Sequence, residues 1–192
     1  SSRPEIASSF RALPELLRSK RPSGVVLDWQ QVTGHLLAAG DSRVIRVWDA
    51  HRELCVCVST VECSCARLVL TNLTSQDIPT RTSSPVTSMS AEVDIGHIFV
   101  AGFGDGTVGV YDRRNPPEAS LVRLWEEHTS WISKVQLQKR GNRELISASV
   151  DGEVRLWDIR GRSSLSKGNV TPALRSRISC FAAHERAPLF AA

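Results

Sequence analysis

The stretch "SASVDGEVRLWDIR", residues 147–160, sets two small polar residues ahead of an Asp-Gly pair and an alternating apolar run ahead of a Trp-Asp pair. Asp151-Gly152 suits the positive φ angles of a tight hairpin. Val154 and Leu156 share one side of a strand, with Arg155 on the other. The stretch therefore predicts strand, turn, strand. Its polar residues, with His128 upstream, admit two readings: the nucleophile and base of a hydrolase, or the internal bonding of a structural unit.

The unit recurs. Placing Trp48, Tyr111 and Trp157 in one column aligns Asp49, Asp112 and Asp158 after it, Val47, Val110 and Leu156 just before it, and Ile45, Val108 and Val154 three before it. The apolar stretches "LLA" (36–38), "FVA" (99–101) and "LIS" (145–147) lie ten to twelve residues ahead, and "GDSR", "GDGT" and "VDGE" make the intervening turns. An opening strand is expected at "VVLDW" from Val25, "PVTSMS" from Pro85 and "WISKVQL" from Trp131, and a closing one at "SLVRLW" from Ser120. Tyr111 and Trp157 stand 46 residues apart, close to the roughly 40–45 of a four-stranded propeller blade. Trp48 and Tyr111 stand 63 apart, so an insertion is placed at residues 55–76. "RISCFAAHERAPLFAA" begins a fourth unit and stops before its Trp column. The fold expected is all-β: an incomplete propeller of about three and a half blades, of an expected seven, over residues 25–192.

Composition sets limits. The hydrophobic fraction of 41% suffices for a core, and no apolar run reaches the length of a membrane helix, about 18 residues. Arg3, Arg11, Arg18, Lys20 and Arg21 against Glu5 and Glu15 leave little of the net charge of +4 for the rest of the chain. Nucleic-acid binding through a broad basic face is thereby disfavoured. Residues 1–24 read as a linker with a short helix, Ser9 capping and Phe10, Leu13, Leu16 and Leu17 at helical spacing. The first residue is Ser1, which suggests a fragment.

Cys55, Cys57, Cys63 and Cys65 all fall in the insertion. A hairpin through Ser59 and Thr60 would gather four thiolates around zinc, but the C-x-C spacing is tighter than zinc pairs use. A disulfide is the other chemical reading. The preferred one is an exposed loop, a lengthened outer strand, or sequence foreign to the domain such as a retained untranslated piece. No metal or other cofactor is expected.

"TVGVYD" and "EVRLWD" resemble the WD-repeat family. The resemblance implies a hydrogen-bonded structural network of His128, Ser147, Asp151 and Trp157: Asp151 accepts from His128, which also meets the Ser147 hydroxyl, which contacts the Trp157 indole. The second unit has Asp105 but Ala101 in place of the Ser, and the first has Ser42 at the Asp position. No nucleophile elbow surrounds Ser147 or Ser149, so the structural reading is preferred to a catalytic triad.

More specifically, "LLRSKRPSGVVLDWQQVTGHLLAAGDSRVIRVWDAHREL", "QDIPT", "VAGFGDGTVGVYDRR", "EEHTSWISKVQLQKR" and "ISASVDGEVRLWD" resemble the start of the C-terminal propeller of the raptor family. That family passes directly from the region of Glu53-Leu54 to that of Gln76-Asp77. The resemblance implies a non-enzymatic scaffold of the TOR kinase complex, cytoplasmic and recruited to the lysosome surface, joining the kinase to its substrates and to Rag GTPases. The rival reading is a generic WD-repeat module for a peptide, ubiquitin or a phosphoinositide headgroup. A lipid reader needs paired arginines on one rim, which only Arg113-Arg114 offers. Trp125 and Trp131 are further surface candidates, with Trp131 expected chiefly to cap the core.

Overall fold

A computed structural model describes residues 22–49, 54–55, 76–93, 96–138, 144–165, 177–184 and 190–191. The expected N-terminal helix, and all of the insertion but its two end residues, lie outside them.

The first sheet runs β1 (Val25–Gln30), β2 (His35–Gly40), β3 (Val44–Asp49) and, on the outer edge of β3, both β4 (Leu54–Cys55) and β5 (Gln76–Pro79). The second is β6 (Val86–Ala91), β7 (Ile98–Phe103), β8 (Val108–Asp112) and β9 (Leu121–Trp125), in that order. The third is β10 (Ile132–Leu137), β11 (Glu144–Ser149) and β12 (Val154–Asp158). Among the described residues its outer edge carries one bridge, Trp157 to Ser164. The fourth unit pairs β13 (Ala182–Ala183) with β14 (Phe190–Ala191). All pairings are antiparallel, and all but that of β3 with β5 join neighbours in sequence, as the repeat predicts.

The second and third sheets bury both faces, and the period of two in their strands divides their side chains between neighbours. Leu37, Ala39, Ile45, Val47 and Ile78 of the first sheet meet Val86, Met89, Phe99, Phe103 and Tyr111 of the second. The opposite parity of the second sheet, Val100, Val108, Val110 and Trp125, packs on Ile132, Val135, Leu145 and Trp157 of the third. Ile146, Ala148 and Val154 then meet Ile178 and Phe181. The column aromatics Tyr111 and Trp157 thus face the preceding blade. Tyr111 stacks on Phe99 at 4.9 Å and Trp157 on Trp125 at 4.8 Å. On the first blade the corresponding face carries Val25, Leu27 and Trp29, each about half exposed (54%, 56% and 50%).

Close approach of the second and third blades depends on Gly102, where an added Cβ would lie 2.5 Å from Ile132 Cγ2 and 2.9 Å from Val135 Cγ1. Polar bonds also cross every blade boundary. The opening strands are edge strands, with backbone N–H groups that their own sheet leaves unbonded. Asp28 accepts from the Ala91 amide (2.6 Å). Ser88 and Ser90 accept from the Val135 and Leu137 amides, both at 3.1 Å. Gln136 accepts from the Ala183 amide (3.3 Å) and donates to the Ala183 carbonyl (3.0 Å). In each case the acceptor side chain lies on the earlier blade.

Candidate functional site

Ser147 is wholly buried on β11, opposite Arg155 of β12. Its Oγ accepts from Trp157 Nε1 at 2.7 Å and lies 2.6 Å from His128 Nε2. The Glu153 carboxylate facing Nδ1 can only accept, so Nδ1 carries the ring proton of the neutral imidazole and Nε2 accepts from the Ser147 hydroxyl. That Nδ1–H meets Glu153 Oε2 at 2.9 Å. Glu153 Oε1 receives Arg155 Nε at 2.9 Å and also Arg155 Nη2, while Arg155 Nη1 reaches Glu127. Glu127 in turn accepts from the Ser164 hydroxyl (2.6 Å) and amide (3.0 Å). One chain of donors and acceptors runs from the buried indole to the blade's outer edge.

Three of the four residues expected in the network therefore meet, and Asp151 does not join them. The expectation that Asp151 accepts from His128 is corrected: the partner is Glu153. Asp151 sits exposed in the turn, where its carboxylate takes the Ser149 hydroxyl and, at 3.1 Å, that of Thr129. The reason is position, since Asp151 lies in the hairpin turn and is taken up by Ser149 and Thr129, whereas Glu153 adjoins the start of β12 and pairs with Arg155 two positions on. The spacing of Glu153 and Arg155 was the available signal. Glu127 and Ser164 carry no comparable signature, because loop geometry brings them in.

Burial holds the His128 imidazole below its usual pKa, against the opposing pull of Glu153, so the ring stays neutral. Burial raises Glu127 and Asp151, but this is outweighed by hydrogen bonds, from Ser164 to Glu127 and from Ser149 and Thr129 to Asp151; Arg155 adds its pull on Glu127. Both carboxyls end below their ordinary values. A serine beside a neutral, carboxylate-linked histidine resembles a triad on paper. Here the serine oxygen is sealed from solvent and shared between indole and imidazole, so it has no path to a carbonyl carbon. The arrangement is structural.

The other blades are held differently. In the second, Asp105 closes its own turn by accepting from the Thr107 amide (3.0 Å) and hydroxyl (2.7 Å). In the first, Asp41 rather than Ser42 reaches back, taking the Ser23 and Gly24 amides at 2.8 and 3.0 Å, while Ser42 Oγ accepts from Val44 N at 3.2 Å.

The surface candidates fare unequally. Arg113 turns inward, donating to Gln30 Oε1 (3.0 Å) and the Gly96 carbonyl (3.2 Å), and burial depresses its pKa. Arg114 folds onto Asp112 at 2.6 Å. The pair thus presents no joint cationic rim for a phosphoinositide. Trp125 is buried against Trp157, and its Nε1 has no partner among the described residues. Trp131 is half-buried, with its ring edge over Gly104.

A cavity of about 310 Å³ opens between the inner strands β1, β6 and β10, lined among others by Asp28, Gln30, Glu92, Lys134 and Gln136. Among the described residues no group of three or more His, Cys, Asp or Glu side chains could hold a metal, and no helix is long and apolar enough to cross a membrane. The clustered cysteines lie outside the residues whose side chains are described; Cys180 is free and exposed.

Residues 119–158 match the family model of the WD domain, G-beta repeat. Over 97% of its length the chain is 40% identical to the target of rapamycin complex 1 subunit mip1 of Schizosaccharomyces pombe, and over 97% it is 41% identical to the subunit KOG1 of Saccharomyces cerevisiae. It spans only 13% and 12% of those relatives. A crystal structure of Chaetomium thermophilum Raptor superposes with a TM-score of 0.71 at 38% identity, covering 87% of this chain and 14% of that one. The repeated blades, their order and this identity along nearly the whole chain lead to one assignment: the chain belongs to the raptor family, as a non-catalytic WD-repeat segment of it.

Proposed function

We propose that this segment serves a TOR complex 1 as a scaffold module, presenting loops on a rigid stack of blades and carrying out no chemistry of its own. Likeness to complex subunits along nearly the whole chain carries the reading, and the sealed Ser147-His128 pair agrees with it. A stack whose boundaries are tied by side-chain-to-backbone bonds holds its loops in a fixed array, which lowers the ordering cost of binding a protein partner. In this reading the full-length parent contacts the TOR kinase and, more remotely, its substrates and Rag GTPases, in the cytoplasm and at the lysosome surface. Isolation of the tagged full-length parent from cells tests the proposal. TOR kinase is expected in the isolate, and its absence overturns the reading.

A further inference from the structure

The outer strand of the first blade comes in two pieces. Opposite β3, Asp49 pairs with Leu54 and Trp48 with Cys55. The next positions of β3, Val47 and Arg46, pair with Gln76 and Asp77, and Ile45 and Val44 with Ile78 and Pro79. No rung is skipped between Trp48 and Val47, and both pieces run antiparallel to β3. The ladder thus treats Cys55 and Gln76 as neighbours in sequence, although the 20 residues 56–75 separate them. Adjacent strand positions are about 3.3–3.8 Å apart, the span of one peptide unit.

We infer that residues 56–75 are a register-neutral insertion: the fold is fully specified without them, and joining Cys55 directly to Gln76 yields the same sheet with one unbroken outer strand from Leu54 to Pro79.

The contacts beyond the join carry this. A strand entering one residue out of step turns every side chain to the opposite face. Here Ile78 is wholly buried in the core between the first two blades. Asp77 takes Arg46 Nε and Nη2, each at 2.8 Å. The Thr80 amide reaches the Arg43 carbonyl at 2.9 Å. All three need the parity that follows from counting Gln76 directly after Cys55. Spacing agrees as well: without the 20 residues, Trp48 and Tyr111 would stand 43 apart, near the 46 between Tyr111 and Trp157. The longer chain also closes a 20-residue excursion whose entropic cost grows with its length, and the joined chain does not.

Three deletions in the 192-residue chain test the inference, each followed by thermal melting and by hydrogen exchange at the Val47 and Ile78 amides. Removing 56–75 should leave the melting temperature unchanged or raise it by a few degrees, with both amides as protected as in the parent. Removing 56–74 or 56–76 leaves one residue too many or too few, and should lower the melting temperature by several degrees and protection at Ile78 by tenfold or more. Should a deletion hamper expression, replacing 56–75 by Gly/Ser linkers of about 6, 12 and 20 residues should give melting temperatures within about 4 °C of one another, since closure cost varies only with the logarithm of length. Equal damage from all three deletions, no damage from any, or strong dependence on the length or sequence of the linker would overturn the inference.

Discussion

Replacing Glu153 by Ala should damage the third blade far more than replacing Asp151 by Ala, although Asp151 occupies the position at which the WD-repeat resemblance puts the histidine's partner. Glu153 Oε2 receives the Nδ1–H of His128, whose side chain is fully buried. A buried donor left without an acceptor costs about 1–3 kcal/mol. Loss of the Arg155 contact adds only about 0.5 kcal/mol, because both groups are partly exposed and Glu127 keeps the guanidinium. The expected total is about 1.5–3.5 kcal/mol. At about 2–4 °C per kcal/mol for a domain of this size, the melting temperature should fall by about 3–14 °C. Asp151→Ala loses two hydroxyl contacts in an exposed turn, about 0.5–1 kcal/mol, and should lower it by about 1–4 °C. Circular dichroism melts and urea titrations of the two variants beside the parent make the comparison. An Asp151→Ala loss equal to or larger than that of Glu153→Ala would refute the reasoning, because it would mean that the turn carboxylate and not the strand carboxylate secures the ring.

Burial lowers the His128 pKa, so the unfolded chain binds that proton more readily. Stability from this group is complete above its unfolded value, about pH 6.5, and is lost as pH falls through the folded value, with a slope of at most about 1.4 kcal/mol per pH unit. Urea midpoints between about pH 6.5 and 5.5 should fall in the parent and flatten in His128→Asn, since the carboxyls Glu127 and Asp151, lowered in the folded chain, lose stability only as pH falls toward their ordinary values of about 4; an unflattened profile counts against the assignment. Ser90→Ala should cost about 1 kcal/mol by freeing the Leu137 amide, read as faster hydrogen exchange at that amide while exchange within β2 and β3 is unchanged. Gly102→Val should cost about 3 kcal/mol or more, because the added methyls enter space held by Ile132 and Val135, with loss of the cooperative melt as the readout. Val25, Leu27 and Trp29 leave an uncovered apolar face, so light scattering should find the isolated chain self-associated, and Leu27→Lys with Trp29→Lys should reduce that association; a parent that stays monomeric at high concentration contradicts this.

The fold was legible because its determinants are local and repeated. Asp-Gly turns, alternating apolar residues and the Trp48, Tyr111 and Trp157 column each act within about ten residues, and the 46-residue interval repeats them. The membership of Ser147, His128 and Trp157 in a single cluster followed from the family resemblance. The identity of the carboxylate did not, since two acidic residues of the same parity compete in "VDGEV" and the motif names the wrong one; what separates them is that Asp151 sits in the turn while Glu153 adjoins the strand and pairs with Arg155. The bonds across blade boundaries were missed for another reason. Ser88 and Ser90 are ordinary strand residues, and their partners are backbone amides 47 positions later, so no side-chain pattern announces them. Arg113 and Arg114 misled as a pair because adjacent residues seldom share an environment: one enters the first blade boundary and the other lies on the surface.

The edge-strand amides captured across blade boundaries are all received by side chains of the earlier blade: Asp28 receives Ala91, Ser88 and Ser90 receive Val135 and Leu137, and Gln136 receives Ala183. A ribosome extrudes the polypeptide amino end first, and so the earlier blade first. Each docking partner is therefore translated before the strand it will catch, and each later sheet of these four finds a finished template waiting behind it.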